Sequence, residues 1–451
     1  MLNTLFVPEL REMLKTEDSA GLLDFCTAMH PSRTAEFMEG LTSEEAWEVI
    51  QHAPVTERVE IFTYFEESRQ TELLSSADRD QVTALVAEIA SDDRVDMLQE
   101  LDESTLQDLL ARLPIEDRRD VQRLSQYPEG TAGAVMTSEF AKLSESLTIR
   151  EAMEEIGRQS GQYETIYYLF IVDDEGHLRG LVSARQLLVG MKKPDTLLAD
   201  VMETELVTAR EMDDQEEVAD KVAKLDLLAL PIVDDQHHIV GIVTHDDVID
   251  VVRDEATEDA HRIAAVDPLD ETYLQTHLFT LSWKRGMWLA FLFFFALMTA
   301  LALEQYDAQL QKWAWLVPFI PLVISSGGNS GSQSATLIIT ALSRGHVTLG
   351  DWWTIIRREL VMGLFLGTGL GLMALMVTPF FGGVPTFPQS LVVPITLLLV
   401  VISGTLTGSI LPLLFERLGW DPAMMSNPFV AGIVDILGIV IYLSVAILFL
   451  A

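Results

Sequence analysis

Apolar positions recur every 24 residues between Phe25 and Val121. Phe37, Ile61, Leu85 and Leu109 make one register, and Met38, Phe62, Val86 and Leu110 a second. Phe25, Val49, Leu73, Met97 and Val121 make a third, and Leu41, Phe65, Ile89 and Leu113 a fourth. A fixed period of this size marks stacked helical hairpins, each burying one face against the next. It predicts an all-α, superhelical N-terminal domain over residues 1–127, ending at Tyr127-Pro128-Glu129-Gly130.

Beyond that point the pattern duplicates. Ile171-Val172-Asp173-Asp174 is followed by Gly180-Leu181-Val182-Ser183, and Ile232-Val233-Asp234-Asp235 by Gly241-Ile242-Val243-Thr244. Val135-Met136 and Val201-Met202 mark the matching starts. Each half reads as helix, strand, turn, strand, helix, with Asp-rich turns closing the hairpins. These halves resemble a tandem pair of α/β CBS domains, 128–197 and 198–253. The resemblance implies a pseudo-twofold module of a kind that often binds adenine nucleotides. Tyr168 and Arg185 match residues used for ATP in relatives that bind it, whereas Gln186 stands where an Asp would hold a ribose.

After Asp246 the pattern becomes one long acidic helix, and then apolar segments begin. Five spans are predicted, at 286–304, 314–342, 359–380, 391–415 and 424–450. Each is long enough to cross a hydrocarbon core of about 30 Å. Lys284, Arg285, Arg344, Arg357, Arg358 and Arg417 all fall on one side of this arrangement, whereas the opposite loops carry Lys312 alone. The excess of basic residues predicts a cytosolic N-terminus and an extracytoplasmic Ala451 in a multi-pass plasma-membrane protein. No N-terminal stretch resembles a signal peptide.

Two spans break the apolar rule. The second carries Pro318 and Pro321, then a polar, glycine-rich run from Ser325 to Thr336. Irregular backbone at membrane depth is tolerated only inside protein or beside a water-filled cavity, so the run predicts a pathway lining. Close helix packing through the glycines is the alternative. The run is not a nucleotide P-loop, because no Gly-Lys-Ser/Thr follows. The fifth span carries Asp435 in an otherwise apolar stretch, the one carboxylate expected deep in any span. A charge there costs at least ~2.5–3.5 kcal/mol, and no basic residue at a span centre offsets it. A proton site, a structural hydrogen bond or a cation in a pathway would each account for it. Asn427 lies two turns earlier and offers an amide oxygen.

Charge separates the two halves of the chain. Residues 1–266 hold 58 acidic and 23 basic side chains, a net of −35, whereas residues 267–451 hold 10 and 7, a net of −3. Such a surplus repels nucleic acids and anionic lipid and attracts cations. The one cysteine, Cys26, excludes a disulfide framework within the chain. The spans offer oxygen ligands with neither Cys nor intramembrane His, which suits a hard cation. Mg²⁺, which keeps several waters and needs few carboxylates, fits best, though Co²⁺, Mn²⁺ and Ni²⁺ could use the same oxygens. Like-charge pairs four residues apart recur at Asp246/Asp250, Asp250/Asp254, Asp254/Glu258, Glu255/Asp259, Asp92/Asp96 and Glu216/Asp220. Each destabilises an isolated helix by a few tenths of a kcal/mol until a cation bridges it. No nucleophile–base pair suggests an enzyme.

Three stretches together resemble the MgtE family of Mg²⁺ channels: DEATEDAHRIAAVD (254–267), GGNSGSQSATLII (327–339) and DPAMMSNPFVAGIVDILGIVIYL (421–443). The resemblance runs along essentially the whole chain. It implies a multidomain homodimer with a connecting "plug" helix at 254–282 and an α-helical five-span transmembrane domain at 283–451. The pore would lie on the twofold axis, lined by Asp435, Asn427, Asn329 and Gly328. Metal contacts carry over onto Asp435, Asp421, Glu60, Asp92, Asp96, Asp214, Glu216, Asp226, Asp247, Asp250, Glu255, Glu258 and Asp259. Mg²⁺ would then be both the transported and the regulatory ion, closing the passive channel by gluing the cytosolic domains together, with ATP a further candidate ligand. A cation-coupled exchanger is the alternative.

Overall fold

A computed structural model describes residues 5–159, 161, 163–269, 273–274, 276–380 and 387–450. The uncharged loop expected over 381–390 lies outside the described residues as far as 386, as does Ala451. The chain forms two compact units, Met1–Val252 and Arg253–Ala451.

The first unit opens with short helices: α1 (Val7–Thr16), α2 (Ser19–Thr27), α3 (Pro31–Phe37), α4 (Ser43–Ile50), α5 (Val55–Thr63), α6 (Glu67–Ser76), α7 (Arg79–Val86), α8 (Ser91–Gln99), α9 (Glu103–Arg112) and α10 (Ile115–Leu124). Every member of the four 24-residue registers is buried except the half-buried Phe37. Helix starts are fixed by side chains: Asp18, Asp78 and Asp102 cap α2, α7 and α9, and Thr42 with Glu45 forms a capping box on α4. Helix ends are closed by a repeated device. Arg58, Gln70 and Arg94 each donate to the carbonyls eight, seven and five residues earlier, and Arg118 to those seven and five earlier. Orphan carbonyls at one helix C-terminus are thus satisfied from the next helix, which locks each step of the stack.

The duplicated region follows as β1 (Phe140–Ser144), α11 (Ile149–Gln159), β2 (Thr165–Val172), β3 (Leu178–Ser183) and α12 (Ala184–Gly190), then β4 (Ala209–Arg210), α13 (Gln215–Leu225), β5 (Ala229–Val233), β6 (Ile239–Thr244) and α14 (His245–Ile263). Each half is a three-stranded sheet, β1-β2-β3 or β4-β5-β6, whose first strand is parallel to the second and whose hairpin is antiparallel. The leading strands β1 and β4 are additions to the sequence expectation; five and two residues are too short for a legible alternation. The halves interlock crosswise. Met136 packs on Gly241 and Met202 on Gly180, where any side chain would collide with the methionine sulfur. Asp173 and Asp234 cap the equivalent turns, and His177 stacks on His238 at 4.5 Å across the pseudo-twofold.

The second unit starts inside α14, which ends at Ile263; Ala265 then takes a left-handed conformation (φ 59°). Of the connecting helix expected over 254–282, the described residues are helical to Ile263 and again from Leu278, where the next helix begins. Beyond it come α15 (Leu278–Gln305), α16 (Asp307–Lys312), α17 (Ile320–Ser343), α18 (Trp352–Val377), α19 (Phe387–Ser390), α20 (Val392–Arg417) and α21 (Asn427–Leu450). Among the described residues four helices are long and apolar enough to cross a membrane: α15, α18 with its leading turn, α20 and α21. The expected second span, α17, has the length at 24 residues, but its serines and glycines lower its apolarity.

The glycine-rich run is not irregular. Residues 314–319 form a 3-10 turn holding Pro318, and α17 then continues unbroken to Ser343. Two of its hydroxyls bond back along the helix, Ser326 to the Leu322 carbonyl at 2.7 Å and Thr336 to that of Ser332 at 3.0 Å, whereas Ser332 and Ser334 donate to neighbouring helices and, among the described residues, Ser330 Oγ is buried without a partner. Its glycines serve packing. A Cβ on Gly408 of α20 would lie 2.1 Å from the Gly331 carbonyl oxygen, and one on Gly404 would lie 2.6 Å from that of Gly327. The backbones of α17 and α20 therefore cross in direct contact, as small residues permit in membranes.

Candidate ion pathway and cation-sensing site

Asn427, Ala431 and Asp435 stand four residues apart on one face of α21. That face meets α17. A Cβ on Gly328 would touch Ala431 Cβ and Asp435 Oδ1, each at 3.4 Å. The absence of a side chain at Gly328 thus leaves the Asp435 carboxylate its space. Among the described residues that carboxylate has neither a hydrogen-bond nor a charge partner. Asn427 is engaged: its Oδ1 accepts from Thr336 Oγ1 at 3.0 Å, and its carbonyl accepts from Ser332 Oγ at 3.1 Å. These bonds tie the two helices in register below Asp435. Ser325, Asn329 and Gln333 form an exposed polar line along α17, with Asn329 donating to Ser325 at 3.3 Å. A polar line on a helix at membrane depth requires water or protein over it.

At the start of α21, Asp421 caps a 3-10 turn, accepting from the Ala423 N–H at 2.7 Å. Its other oxygen pairs with Arg262 of α14, which also pairs with Glu258. Asp259 accepts from Ser343 Oγ, the last residue of α17, at 3.1 Å. Burial raises the Glu258 and Asp259 carboxyls, with Arg262 opposing the shift at Glu258 and the Ser343 bond opposing it at Asp259. The C-terminal half of α14 is thereby fastened to the start of α21 and the end of α17. The implied metal contacts Glu258 and Asp421 are here held by a guanidinium, while Glu255 stands one turn before Asp259.

In the first unit, acidic groups converge from three elements: Asp92, Asp93 and Asp96 on α8, Asp246, Asp247 and Asp250 on α14, and Glu164 just before β2. Asp92 is the buried member. It is 8% exposed, and among the described residues its Oδ1 has no hydrogen-bond partner. Its carboxyl is pushed well above the ordinary range by burial and then by the charges of Asp247, Asp93 and Glu164. Burial raises Asp247 to about 6 against the opposing bonds from Thr244, whose hydroxyl lies 2.5 Å from Asp247 and 2.6 Å from Asp246. Asp96 rises to about 6 and Glu164 to about 7, in both cases by desolvation first and neighbouring charge second. Both keep solvent access, so screening makes their strain smaller than that of Asp92. An orphaned buried carboxylate oxygen facing like charges fits a cation better than a solvated surface. Among the described residues no three acidic, His or Cys groups close into metal-holding geometry. A pair of carboxylates with retained waters is nonetheless a sufficient protein contribution for Mg²⁺.

The other expected contacts stand apart. Asp214 caps α13, accepting from the Glu216 N–H at 2.8 Å; Asp226 ends that helix with φ 52°; Glu60 is exposed on α5. Tyr168 is half-buried on β2 and Arg185 exposed on α12. Gln186 is committed to a capping box with Ser183 and donates to Glu203 at 2.8 Å. Asp93 and Glu164 escaped the sequence reading, which held Asp246 only as the like-charge partner of Asp250. Asp93 adjoins a residue it named, but Glu164 meets the cluster only through the tertiary fold.

Comparison with known proteins agrees with this layout. Residues 320–445 match a divalent cation transporter family model, residues 29–130 the MgtE intracellular N domain, and residues 132–193 and 198–254 the CBS domain. The magnesium transporter MgtE of Thermus thermophilus is 36% identical over 440 residues, 97% of each chain. That of Bacillus subtilis is 28% identical over 97% of this chain and 95% of its own. A crystal structure of the soluble part of a magnesium transporter superposes with a TM-score of 0.52 at 33% identity, covering 55% of this chain and 97% of that one. The cytosolic domain of the Mg²⁺ channel MgtE in complex with ATP gives 0.50 at 33%, covering 54% and 98%. These relatives are transporters rather than enzymes, and the chain belongs to the MgtE family of magnesium transporters.

Proposed function

We propose that the chain carries Mg²⁺ passively across the plasma membrane as a homodimeric channel that cytosolic Mg²⁺ closes. The observation that carries this reading is Asp435: a carboxylate without a partner among the described residues, on an apolar helix, set against the side-chain-free Gly328 and beside the polar line of α17. A second copy facing that line would cover it and supply a second Asp435, a pair suited to a largely hydrated divalent ion. Energetically, a divalent ion moving inward through ~100 mV gains about 4.6 kcal/mol, so no ATPase is needed. The domain division 1–127, 128–197, 198–253, 254–282 and 283–451, five spans, a cytosolic N-terminus and an extracytoplasmic C-terminus belong to the same reading.

In this scheme the carboxylates around Asp92 and Asp247 repel one another until Mg²⁺ bridges them, and those at Glu255, Glu258, Asp259 and Asp421, where Arg262 already offsets Glu258 and Asp421, offer the ion further oxygens. Glu60, Asp96, Asp214, Glu216, Asp226 and Asp250 add weaker contacts that complete as the acidic faces close. Closure holds α14 against the ends of α17 and α21. ATP at Tyr168 and Arg185 is a regulatory ligand of the CBS pair, supported by the ATP complex of the related cytosolic domain, with Gln186 giving its ribose a weaker hold than an Asp.

The test is Mg²⁺ flux into proteoliposomes. Asp435→Ala is expected to abolish uptake in protein that still purifies as the wild type does; normal uptake removes Asp435 from the pathway. Neutralising Asp247, Asp250, Glu255 and Glu258 together is expected to leave flux uninhibited at high internal Mg²⁺. Single-channel currents in symmetrical Na⁺ separate the channel from an exchanger, which would show Na⁺-dependent flux and no unitary current.

A further inference from the structure

Glu359 is a second carboxylate inside a membrane helix, eight residues into α18, and the pathway as described leaves it unused. The hydroxyl of Ser334, 4% exposed on α17, donates to Glu359 Oε2 at 2.6 Å. Its backbone carbonyl accepts from Thr405 Oγ1 of α20 at 3.2 Å. One turn further along, Gly363 lies so close to α20 that a Cβ there would be 2.7 Å from Thr405 Oγ1 and 2.9 Å from Ile402 Cα. The backbone of Glu359 is therefore fixed against α20, while its carboxylate reaches across to α17. No ion pair to Glu359 exists among the described residues. Holding a carboxylate in such a helix is costly, so the single bond it makes asks for a reason.

The geometry of α17 supplies one. Ser334 is six residues beyond Gly328, and at about 100° per residue the two face roughly 120° apart around the helix. Glu359 thus holds α17 from a side away from Asp435. Ser332 and Thr336, bonded to Asn427, hold the side facing α21. We propose that Glu359 is a positioning residue whose bond to Ser334 fixes the rotation of α17, and with it the stance of Gly328 and Asn329 toward Asp435. The proposal rests on reading α17 and α21 as walls of the pathway.

Two readouts test it in the full-length protein. In a Cys26→Ser background carrying Asn329→Cys, the labelling rate by a charged thiol reagent reports the rotation of α17. Adding Glu359→Ala, or Ser334→Ala, is expected to change that rate at least threefold, while Glu359→Gln, which keeps an acceptor, leaves it unchanged. In proteoliposomes with the native Asn329, Glu359→Ala and Ser334→Ala are each expected to lower Mg²⁺ flux about tenfold, and Glu359→Gln to retain more than half. Unchanged labelling and flux in both alanine variants overturn the proposal. Equal impairment in the Gln and Ala variants of Glu359 also overturns it, by making charge rather than the bond the requirement. A labelling change of the expected pattern in protein whose parent carries no Mg²⁺ upholds the positioning bond and refutes the transport reading instead. The Ser334→Ala variant, which removes only a hydroxyl, keeps the test decisive if Glu359→Ala does not fold.

Discussion

Asp92 is unfavourable for the fold, and the proposed Mg²⁺ regulation gives it a reason to be there. Its position in the first turn of α8 earns some stabilisation from the helix dipole. Against that stand its burial, its orphaned Oδ1 and the like charges of Asp93 and Asp247. A buried charge without a partner is among the few single-residue features that cost several kcal/mol. Replacing it with Asn removes the charge and keeps the shape. Asp92→Asn is therefore expected to raise the melting temperature of the first unit by a few °C in chelator and to shrink the further rise produced by millimolar Mg²⁺. Thermal unfolding of the full-length protein in detergent, with and without Mg²⁺, checks both. A fall in metal-free stability would show that the carboxylate has a stabilising partner in solution. The sequence points to Asp92 through its pairing with Asp96 and through the family resemblance, and spacing cannot tell a buried acid from a solvated one.

The element that decides the membrane part is α17, and its packing against α20 makes a sharper prediction than its composition does. A Cβ on Gly408 would meet the Gly331 carbonyl oxygen, a backbone atom that cannot yield without moving the whole helix. Gly408→Val is expected to cost about 3 kcal/mol or more and to show as loss of monodisperse protein in size-exclusion chromatography. Gly286 of α15 has open space around its Cα, so Gly286→Ala is expected to be neutral or to stabilise by about 0.5–1 kcal/mol. Equal behaviour of the two variants would sink the close crossing. The apolar helices α15, α18, α20 and α21 were legible because length and hydropathy alone define them, and the ten-helix stack because its period repeats. The regularity of α17 was not legible: glycine and serine read as breakers in water, yet in a bundle they satisfy the backbone and let helices touch. The end of α14 at Ile263 was likewise hidden, since no Gly or Pro marks it and the left-handed turn falls on Ala265. Glu359 was placed at a span boundary by hydropathy, and only the register of α18 brings it inside and onto Ser334.

At the scale of the whole molecule the net charge of −38 sets how stability responds to pH and to cations. Asp96 and Asp247 are raised to about 6 and Glu164 to about 7, each by burial before charge. A carboxyl raised in the folded state binds more protons folded than unfolded between its two pKa values. Stability from these groups is therefore fully present below about pH 4, where both states are protonated, and is lost as pH climbs through 6 to 7. Because Asp96 and Glu164 keep solvent access, the loss is smaller than the shifts alone imply; about 2 kcal/mol, or roughly 4–8 °C in melting temperature for a unit of this size, is the expected scale. Mg²⁺ requires the deprotonated groups, so its stabilisation runs the opposite way. In chelator, amide exchange at α8 and at the start of α14, corrected for intrinsic rates, is expected to quicken between pH 5 and 7.5. Millimolar Mg²⁺ is expected to suppress that exchange strongly at pH 7.5 and little at pH 5. Protection by Mg²⁺ that is equal at both values would mean that the ion acts elsewhere, and the carboxylates of α8 and α14 would then be a solvated face rather than the proposed Mg²⁺ sensor.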